Sequence, residues 1–492
     1  MSRELERIAR DAMVAHGLDP ECPPAARQQL AQLEAQPPPV SVEPTGRRPA
    51  KGDVRDLRNL PWSSIDNDDS RDLDQLEVAV DEGPRTRILI AIADVDAFVP
   101  KGSPLDAHAA FNTTSVYTPG RVFPMLPPEL STDLTSLNQD VDRAAVVVDL
   151  TIDEAGVLAA SDMYRALVRN KAQLTYNSIA AWLDGGPEPD AVGRIPGLAG
   201  QVRLQDAVAS RLRDRRVAEG ALEFERSELR AVVEGDTVTE LRTERPNRAK
   251  AVIEHFMVTA NRVTVRFLTD HGMATIRRIV RSPERWARIV AIASERGTSL
   301  PPSPDALALQ GFLRAQRRAD PDAFQDLSLS VIKLLGRGEY AAEGAGQSSA
   351  HFALATGTYA HSTAPNRRFP DLITQRLLKA AFNGRPSPYP LAELTRLAEH
   401  CTRQEDAANK VERLTGKAAA ALWLTPKIGQ TFDAVVTGAG PKGTWVRITP
   451  TPVEGRLETG AEGLDVGDRV RVRLVSTDPR RGFIDFARAR AS

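Results

Sequence analysis

The sequence predicts a multidomain α+β protein: a small helical N-terminal domain, a large mixed α/β domain, and a C-terminal β-barrel or sandwich. Three observations carry that expectation. Apolar residues near the N-terminus recur three and four residues apart, a Pro-rich stretch then interrupts the chain, and the last segment alternates β-branched runs with Gly/Pro turns.

Each part can be justified in order. Leu5, Ile8, Ala9, Ala12 and Met13 mark one face of a helical region within residues 3–35. The pattern leaves open whether this region is a winged helix-turn-helix. QPPPVSVEPTGRRPA (36–50) reads as an extended linker. The boundaries expected from these breaks are 1–50, 51–425 and 426–492. Inside the large domain, Val78–Val80, Ile88–Ile92 and Ala144–Ile152 read as strands, and 204–219, 247–268, 371–382 and 391–424 as helices. Two loop-rich inserts, 186–200 and 297–307, read as surface connections. The terminal segment places short strands between turns at about ten-residue intervals.

Composition bounds the function. The chain has 492 residues, 64 Lys and Arg against 65 Asp and Glu, and 41% hydrophobic residues. That excludes a wholly disordered chain, a collagen and a coiled-coil rod. A net charge of −1 gives no bulk signature of a nucleic-acid binder, so any polyanion site must be local. Cys22 and Cys401 fit no metal or redox spacing, which points to a reducing cytoplasm. The N-terminus is charged from Arg3 onward and lacks an apolar signal core. The run ILIAIADV (88–95) has the length of a buried strand, not of a membrane span. A soluble, unsecreted, cytoplasmic protein with no membrane partner is expected.

The chemistry concentrates in SIDNDDSRDLDQ (64–75), which carries Asp66, Asp68, Asp69, Asp72 and Asp74. Residues 51–100 hold twelve Asp and Glu against six Lys and Arg. Carboxylates this dense stay ionised only when solvated or bridged by cations, and such hard oxygen donors suit Mg²⁺ or Mn²⁺. A solvated acidic loop is the plain alternative. An EF-hand fails because Arg71 stands at its sixth position, where the loop needs Gly. GAGPKG (438–443) fits a dinucleotide fingerprint, yet the strand-like TWVRI follows it, so it reads as a hairpin turn and no nucleotide cofactor is expected. A positive counterpart lies in YAHSTAPNRRFPD (359–371). There Arg367 and Arg368 precede a helix near Pro370, a corner suited to gripping phosphate or to surface ion pairs.

Taken together, SSIDNDDSRDLDQLEVAV, ILIAIADVDAFVPKGSPLDAHAAFNTTSVYTPGRVFPM, AVIEHFMVTAN and AHFALATGTYAHSTAPNRRFPDLITQR resemble, in order, the catalytic (RNB) domain of the bacterial ribonuclease II/ribonuclease R exoribonucleases. The terminal segment is similar to the OB-type RNA-binding barrel that follows this domain in the family. The resemblance covers about 55–490.

It implies a processive, metal-dependent hydrolase that degrades single-stranded RNA from 3′ to 5′ into nucleoside 5′-monophosphates, acting as a monomer with Mg²⁺ or Mn²⁺. Carried over by position, Asp66, Asp72 and Asp74 match the family's catalytic, metal-binding aspartates, and Gln75 stands where a fourth is usual. Tyr117 matches a tyrosine that stacks on the 3′-terminal base, and Phe224 its stacking partner. Arg367 matches an arginine on the scissile phosphate, with Arg368 beside it. Glu254 and Glu412 resemble glutamates lining the RNA path, and His255 stands where a second acid is common. In the terminal barrel Trp445 and Phe432 are candidates for base stacking or for the barrel core. Family members commonly begin with two cold-shock domains, and fifty residues cannot hold even one such barrel. Gln75 also raises a second reading, a catalytically weak RNA-binding or regulatory protein that keeps the fold.

Overall fold

Apolar residues alternate or run continuously in QLEVAVD and RTRILIAIA, and such segments form strands buried on both faces. In a computed structural model these two strands lie in the middle of a seven-stranded sheet. The structure describes residues 3–38, 53–225, 228–344, 351–441 and 443–489, so most of the 36–50 segment lies outside the described residues.

Along the chain, helices α1 (Arg3–Ala15) and α2 (Pro24–Ala35) come first. They are followed by β1 (Val54–Asp56), β2 (Ser63–Asp66), β3 (Gln75–Asp81), β4 (Arg85–Ala93) and α3 (Pro104–Asn112). A short hairpin, β5 (Val116–Tyr117) and β6 (Val122–Phe123), leads to the long strands β7 (Asp142–Asp153) and β8 (Leu158–Arg169), then β9 (Ala172–Thr175). Helices α4 (Tyr176–Leu183), α5 (Asp190–Gly193) and α6 (Leu198–Ala218) precede the hairpin β10 (Glu228–Glu234) and β11 (Thr237–Glu244), and α7 (Arg248–Asp270) follows it. Next are β12 (Thr275–Val280), α8 (Trp286–Glu295), α9 (Ala306–Ala319), α10 (Pro321–Leu335), β13 (Gly338–Glu343), α11 (Phe369–Phe382) and α12 (Leu391–Leu424). The chain ends in β14 (Thr431–Gly440), β15 (Gly443–Thr449), β16 (Glu454–Thr459), β17 (Arg469–Asp478) and β18 (Phe483–Arg488).

The large sheet has the order β1-β8-β7-β4-β3-β2-β9. Its two outer pairs, β1 with β8 and β2 with β9, are parallel, and the rest are antiparallel. Helix α6 packs on β3, and α7 reaches β2, β7 and β8. Asn247 caps α7, its side chain accepting from the Lys250 N–H. Helices α8, α9 and α10 close a separate core around Trp286, Phe312 and Phe324.

The terminal strands form a closed barrel in the order β14-β15-β16-β18-β17. Val436, Val446, Val472, Leu474 and Phe486 fill it, and α12 packs against it. GAGPKG is indeed the β14–β15 hairpin, Gly440 pairing with Gly443.

The N-terminal helical region breaks into α1 and α2, and among its described residues no strand forms a wing. Helix α1 lies along α12, and α2 lies on α3. Ala9, Ala12 and Met13 share a core with Val116 and Phe123 of the β5–β6 hairpin and with Ala407, Ala408 and Val411 of α12. Gly120, in the hairpin turn, lets Leu5 approach: a Cβ there would stand 3.2 Å from the Leu5 Cβ. Among the described residues no helix is long and apolar enough to cross a membrane.

Candidate active site and nucleic-acid interface

Strand β2 ends at Asp66, whose Oδ1 accepts from the Asn67 N–H (2.7 Å) and the Ser70 hydroxyl (2.9 Å), holding the acidic loop in a turn. The chain re-enters the sheet at β3. There the Leu73 N–H donates to Ser136 Oγ (3.0 Å), and the Ala93 N–H donates to the Asp74 carbonyl (3.0 Å). Asp74 is buried. Its Oδ1 accepts from the Asn366 N–H at 3.1 Å, and its Oδ2 lies 3.5 Å from Arg367 Nε.

The loop carrying Arg367 is rigidly built. The Arg367 and Arg368 N–H groups both donate to the Ala364 carbonyl, and Thr135 Oγ1 donates to Asn366 Oδ1 at 2.6 Å. Arg368 turns inward, its Nη2 2.7 Å from Asp371 Oδ1, which also accepts from the Ala364 N–H. Arg367 stays 44% exposed, so its guanidinium is available to a phosphate. His361 is held inside by the Tyr340 hydroxyl, 2.9 Å from its Nδ1.

The Tyr117 hairpin is stitched to the same loop. The Ser115 N–H donates to the Arg367 carbonyl (3.0 Å), and the Phe369 N–H donates to the Thr113 carbonyl (2.8 Å). Tyr117 lies beside the carboxylates and stays 44% exposed, while crowding of the site around its hydroxyl raises the phenol pKa, the Arg367 charge opposing the rise and those of Asp72, Asp74 and Asp66 adding to it.

Burial is also the largest cause raising the pKa of Asp66, Asp72 and Asp74, with Arg367 pulling each down, and Asp74 is pushed up to about 7. Asp66 acts on Asp72, and Asp72 on Asp74, as like charges. One guanidinium against three converging, partly desolvated carboxylates leaves a deficit of positive charge.

That donor set fits divalent cations. Among the described residues no three acidic, imidazole or thiol side chains already surround one point. Mg²⁺ does not require them, because it is usually held by one or two carboxylates together with water and substrate phosphate.

The remaining candidates scatter. Glu254 lies on the solvent side of α7, with Arg216 and Glu223 as its charged neighbours. His255 beside it is buried and accepts from Arg216 Nη1 at 2.8 Å. Glu412, on α12, accepts from the Tyr117 main-chain N–H at 2.8 Å. Phe224 packs against the α8–α10 core, and among the described residues no ring contact joins it to Tyr117. Trp445 is half-buried on β15, beside Gly438 and opposite Arg456.

Three features escaped the sequence reading. The Asn366 N–H has no side-chain signature at all. Glu77, fully buried on β3, had one: a charged residue inside the apolar run LEVAV. Arg230 of β10 also reaches across to Asp69 of the acidic loop, a pairing no local pattern announces.

A buried, acid-lined sheet edge facing an arginine loop and an exposed tyrosine defines an RNB-type site, and the comparisons agree. Residues 54–384 match the RNB domain and residues 430–489 the RNase II-type exonuclease C-terminal S1 domain. The chain belongs to the RNB-domain family. Its relatives include Ribonuclease R of Aquifex aeolicus, 29% identical over 93% of this chain and 67% of that protein, and Ribonuclease R of Escherichia coli, 28% identical over 97% and 61%. The chain thus spans 61–67% of the length of these two relatives. Among solved structures, Mycoplasma genitalium RNase R in complex with ribose methylated single-stranded RNA superposes with a TM-score of 0.87 at 21% identity, covering 99% of this chain and 78% of that one. Yeast Ssd1, a pseudonuclease, superposes at 0.65 with 17% identity over 82% and 50%.

Proposed function

We propose that this protein is a processive, hydrolytic 3′→5′ exoribonuclease that degrades single-stranded RNA to nucleoside 5′-monophosphates with the help of Mg²⁺ or Mn²⁺. It acts as a cytoplasmic monomer. The observation that carries the reading is the meeting of Asp74 with the Arg367 loop, through Arg367 Nε at 3.5 Å and the Asn366 N–H across 292 residues of chain, with Asp66, Asp72 and Tyr117 beside them. The names of the relatives support it.

In this reading the chain divides at 1–50, 51–425 and 426–492. Asp66, Asp72, Asp74 and the Gln75 amide oxygen would hold the metal. When bound, it supplies Lewis-acid activation of water and of the leaving oxygen. Arg367 neutralises charge on the phosphoryl oxygens as the bond to the terminal nucleotide breaks. Tyr117 stacks on the terminal base without reading its identity, and Phe224 is its proposed stacking partner, although its ring packs against the α8–α10 core. Arg368, through Asp371, positions the loop that presents Arg367 and borders the RNA. Glu254 and Glu412 line the path, and Trp445 contributes to RNA capture on the barrel.

Gln75 favours one other reading, an RNA-binding protein with weak catalysis, since an amide brings no charge to the metal. 5′-labelled poly(A) with Mg²⁺ separates the two. Mononucleotide release that disappears in Asp74→Asn supports the nuclease. Tight binding with no release in Mg²⁺ or Mn²⁺ overturns it.

A further inference from the structure

Helices α6 and α7 and the turn joining β7 to β8 enclose a cavity of about 450 Å³, a size that suits a small organic ligand. Asp66, Asp72, Asp74, Tyr117 and Arg367 all lie outside its lining. Gly156 shapes one wall. Its φ is 74°, and a Cβ there would stand 2.6 Å from the Arg211 carbonyl oxygen, so glycine lets the turn rest on α6. Leu158, Leu212 and Val263 give the cavity an apolar side.

Its other side is cationic. Residues three and four apart on each helix bring Arg215 and Arg216 of α6 opposite Arg262 and Arg266 of α7, against two acids, Glu219 and Asp270. Arg215 and Arg262 share Glu219, at 2.8 and 3.8 Å, and the exposed Arg266 stands 4.0 Å from Asp270. Arg216 differs from these three. It is buried, its Nη1 meets the His255 imidazole at 2.8 Å, and among the described residues no carboxylate lies within 4.0 Å of its guanidinium. Its acidic neighbours, Glu254 and Glu223, act only from farther off. A buried cation without a counter-ion is costly, and an anion in the cavity removes the cost.

We propose that this cavity binds a nucleoside 5′-monophosphate, its phosphate held by Arg216, Arg262 and Arg266 and its base laid against Leu158, Leu212 and Val263. A phosphate monoester carries about −1.5 to −2 at pH 7, which offsets the surplus of four arginines over two carboxylates. Guanidinium groups fork onto its oxygens, and a base supplies the flat apolar body that the opposite wall lacks. The choice of a nucleotide rests on the hydrolytic reading above, whose product has this chemistry. The anionic character of the ligand rests on Arg216 alone.

The test is calorimetric titration of the full-length protein with AMP in EDTA, with inorganic phosphate and adenosine as its two parts. AMP should bind at least tenfold more tightly than either part, and Tyr117→Ala should leave that binding intact. Arg216→Gln, which keeps a donor for His255, should weaken AMP at least tenfold. If that change unsettles the fold, Arg262→Ala combined with Arg266→Ala removes two exposed side chains and should weaken AMP as much, with the melting temperature unchanged. Failure of the parent to bind AMP, parent-like affinity in the Arg262/Arg266 variant, phosphate or adenosine binding as tightly as AMP, or loss of binding in Tyr117→Ala each overturns the assignment. Poly(A) hydrolysis is read separately. Binding of AMP that needs Arg216, in a protein that releases no mononucleotide, sinks the nuclease reading and supports this site.

Discussion

The Tyr117 main-chain N–H donates to Glu412 Oε1 at 2.8 Å, joining the β5–β6 hairpin to the middle of α12. Helix α1 packs against both partners, so the hairpin is clamped from two sides. Tyr117 therefore owes its position to α12 as much as to its own strand pair, which is only two residues long on each side. A flat aromatic platform works only when its tilt is fixed.

Glu412 should accordingly act through geometry and not through charge. Glu412→Gln keeps an oxygen acceptor for the Tyr117 N–H and should degrade RNA at close to the parent rate. Glu412→Ala should raise KM for short oligonucleotides several-fold and lengthen the limit product, read on a denaturing gel. Equal behaviour of the two variants would refute a positioning role.

Arg367 offsets Asp74, and in the proposed mechanism it also meets the phosphate. Arg367→Ala should lower kcat about 100- to 1,000-fold, the usual consequence of removing one preorganised donor to a developing oxyanion. Arg367→Lys should recover only part of the loss, because an ammonium cannot reproduce the fork of the guanidinium. Single-turnover rates on a labelled oligonucleotide at saturating protein measure this directly. A change confined to KM would place Arg367 in binding alone.

Much of this arrangement was legible before the fold was known, and the limits are physical. Periodicity predicts helices over 247–268 and 391–424, and the structure has them at Arg248–Asp270, with Asn247 as the cap, and Leu391–Leu424. It could not show that the 3–35 region splits at Gly17, where a positive φ of 76° ends the first turn sequence, nor that its halves settle on different partners. The acidic cluster and the Arg367 loop were each visible as composition, but their meeting at Asp74 is a contact across 292 residues. The key donor there, the Asn366 N–H, belongs to the backbone and leaves no trace in residue identity. Phe224 takes its stacking role from the family resemblance, yet its ring packs against the α8–α10 core, and a ring satisfies a hydrophobic core as well as a base.

Acid should destabilise the protein through His255. Burial, and then the charge of Arg216, push its pKa down to about 3, so the folded protein keeps the ring neutral with Nδ1 accepting from Arg216. An unfolded histidine titrates near 6.5. The stabilising difference is therefore whole above that pH and is lost as the pH falls toward 3, amounting to about 2 kcal/mol by pH 5. His351, pushed down to about 4 chiefly by burial, adds to the loss in the same direction. Glu254 next to His255 must tolerate the same neutral neighbour. Urea midpoints between pH 8 and 5 should fall in the parent and fall less in His255→Gln, which keeps an acceptor for Arg216 but cannot titrate. Identical pH slopes would show that His255 charges freely in the folded state.

The barrel offers a last, separable test. Trp445 lies on the outward face of β15, where a Cβ at Gly438 or at Gly443 would stand 3.5 Å from its ring. The glycines that first suggested a phosphate loop leave the flank of the indole uncovered, and Arg456 pairs with it across the strands. A flat ring beside a cation suits single-stranded RNA, one part stacking on a base and the other meeting the backbone. The two contributions respond differently to salt. Trp445→Ala should weaken binding of a single-stranded oligonucleotide by about 1–3 kcal/mol at every salt concentration, because stacking releases no counterions. Arg456→Ala should weaken it less at high salt and lower the slope of log K against log [salt] by about 0.7, the single-strand value for one phosphate contact. Fluorescence anisotropy across a salt series measures both. Trp445→Ala with unchanged affinity but a lower melting temperature would assign the indole to barrel packing, and the outward glycines would then be serving the hairpin alone.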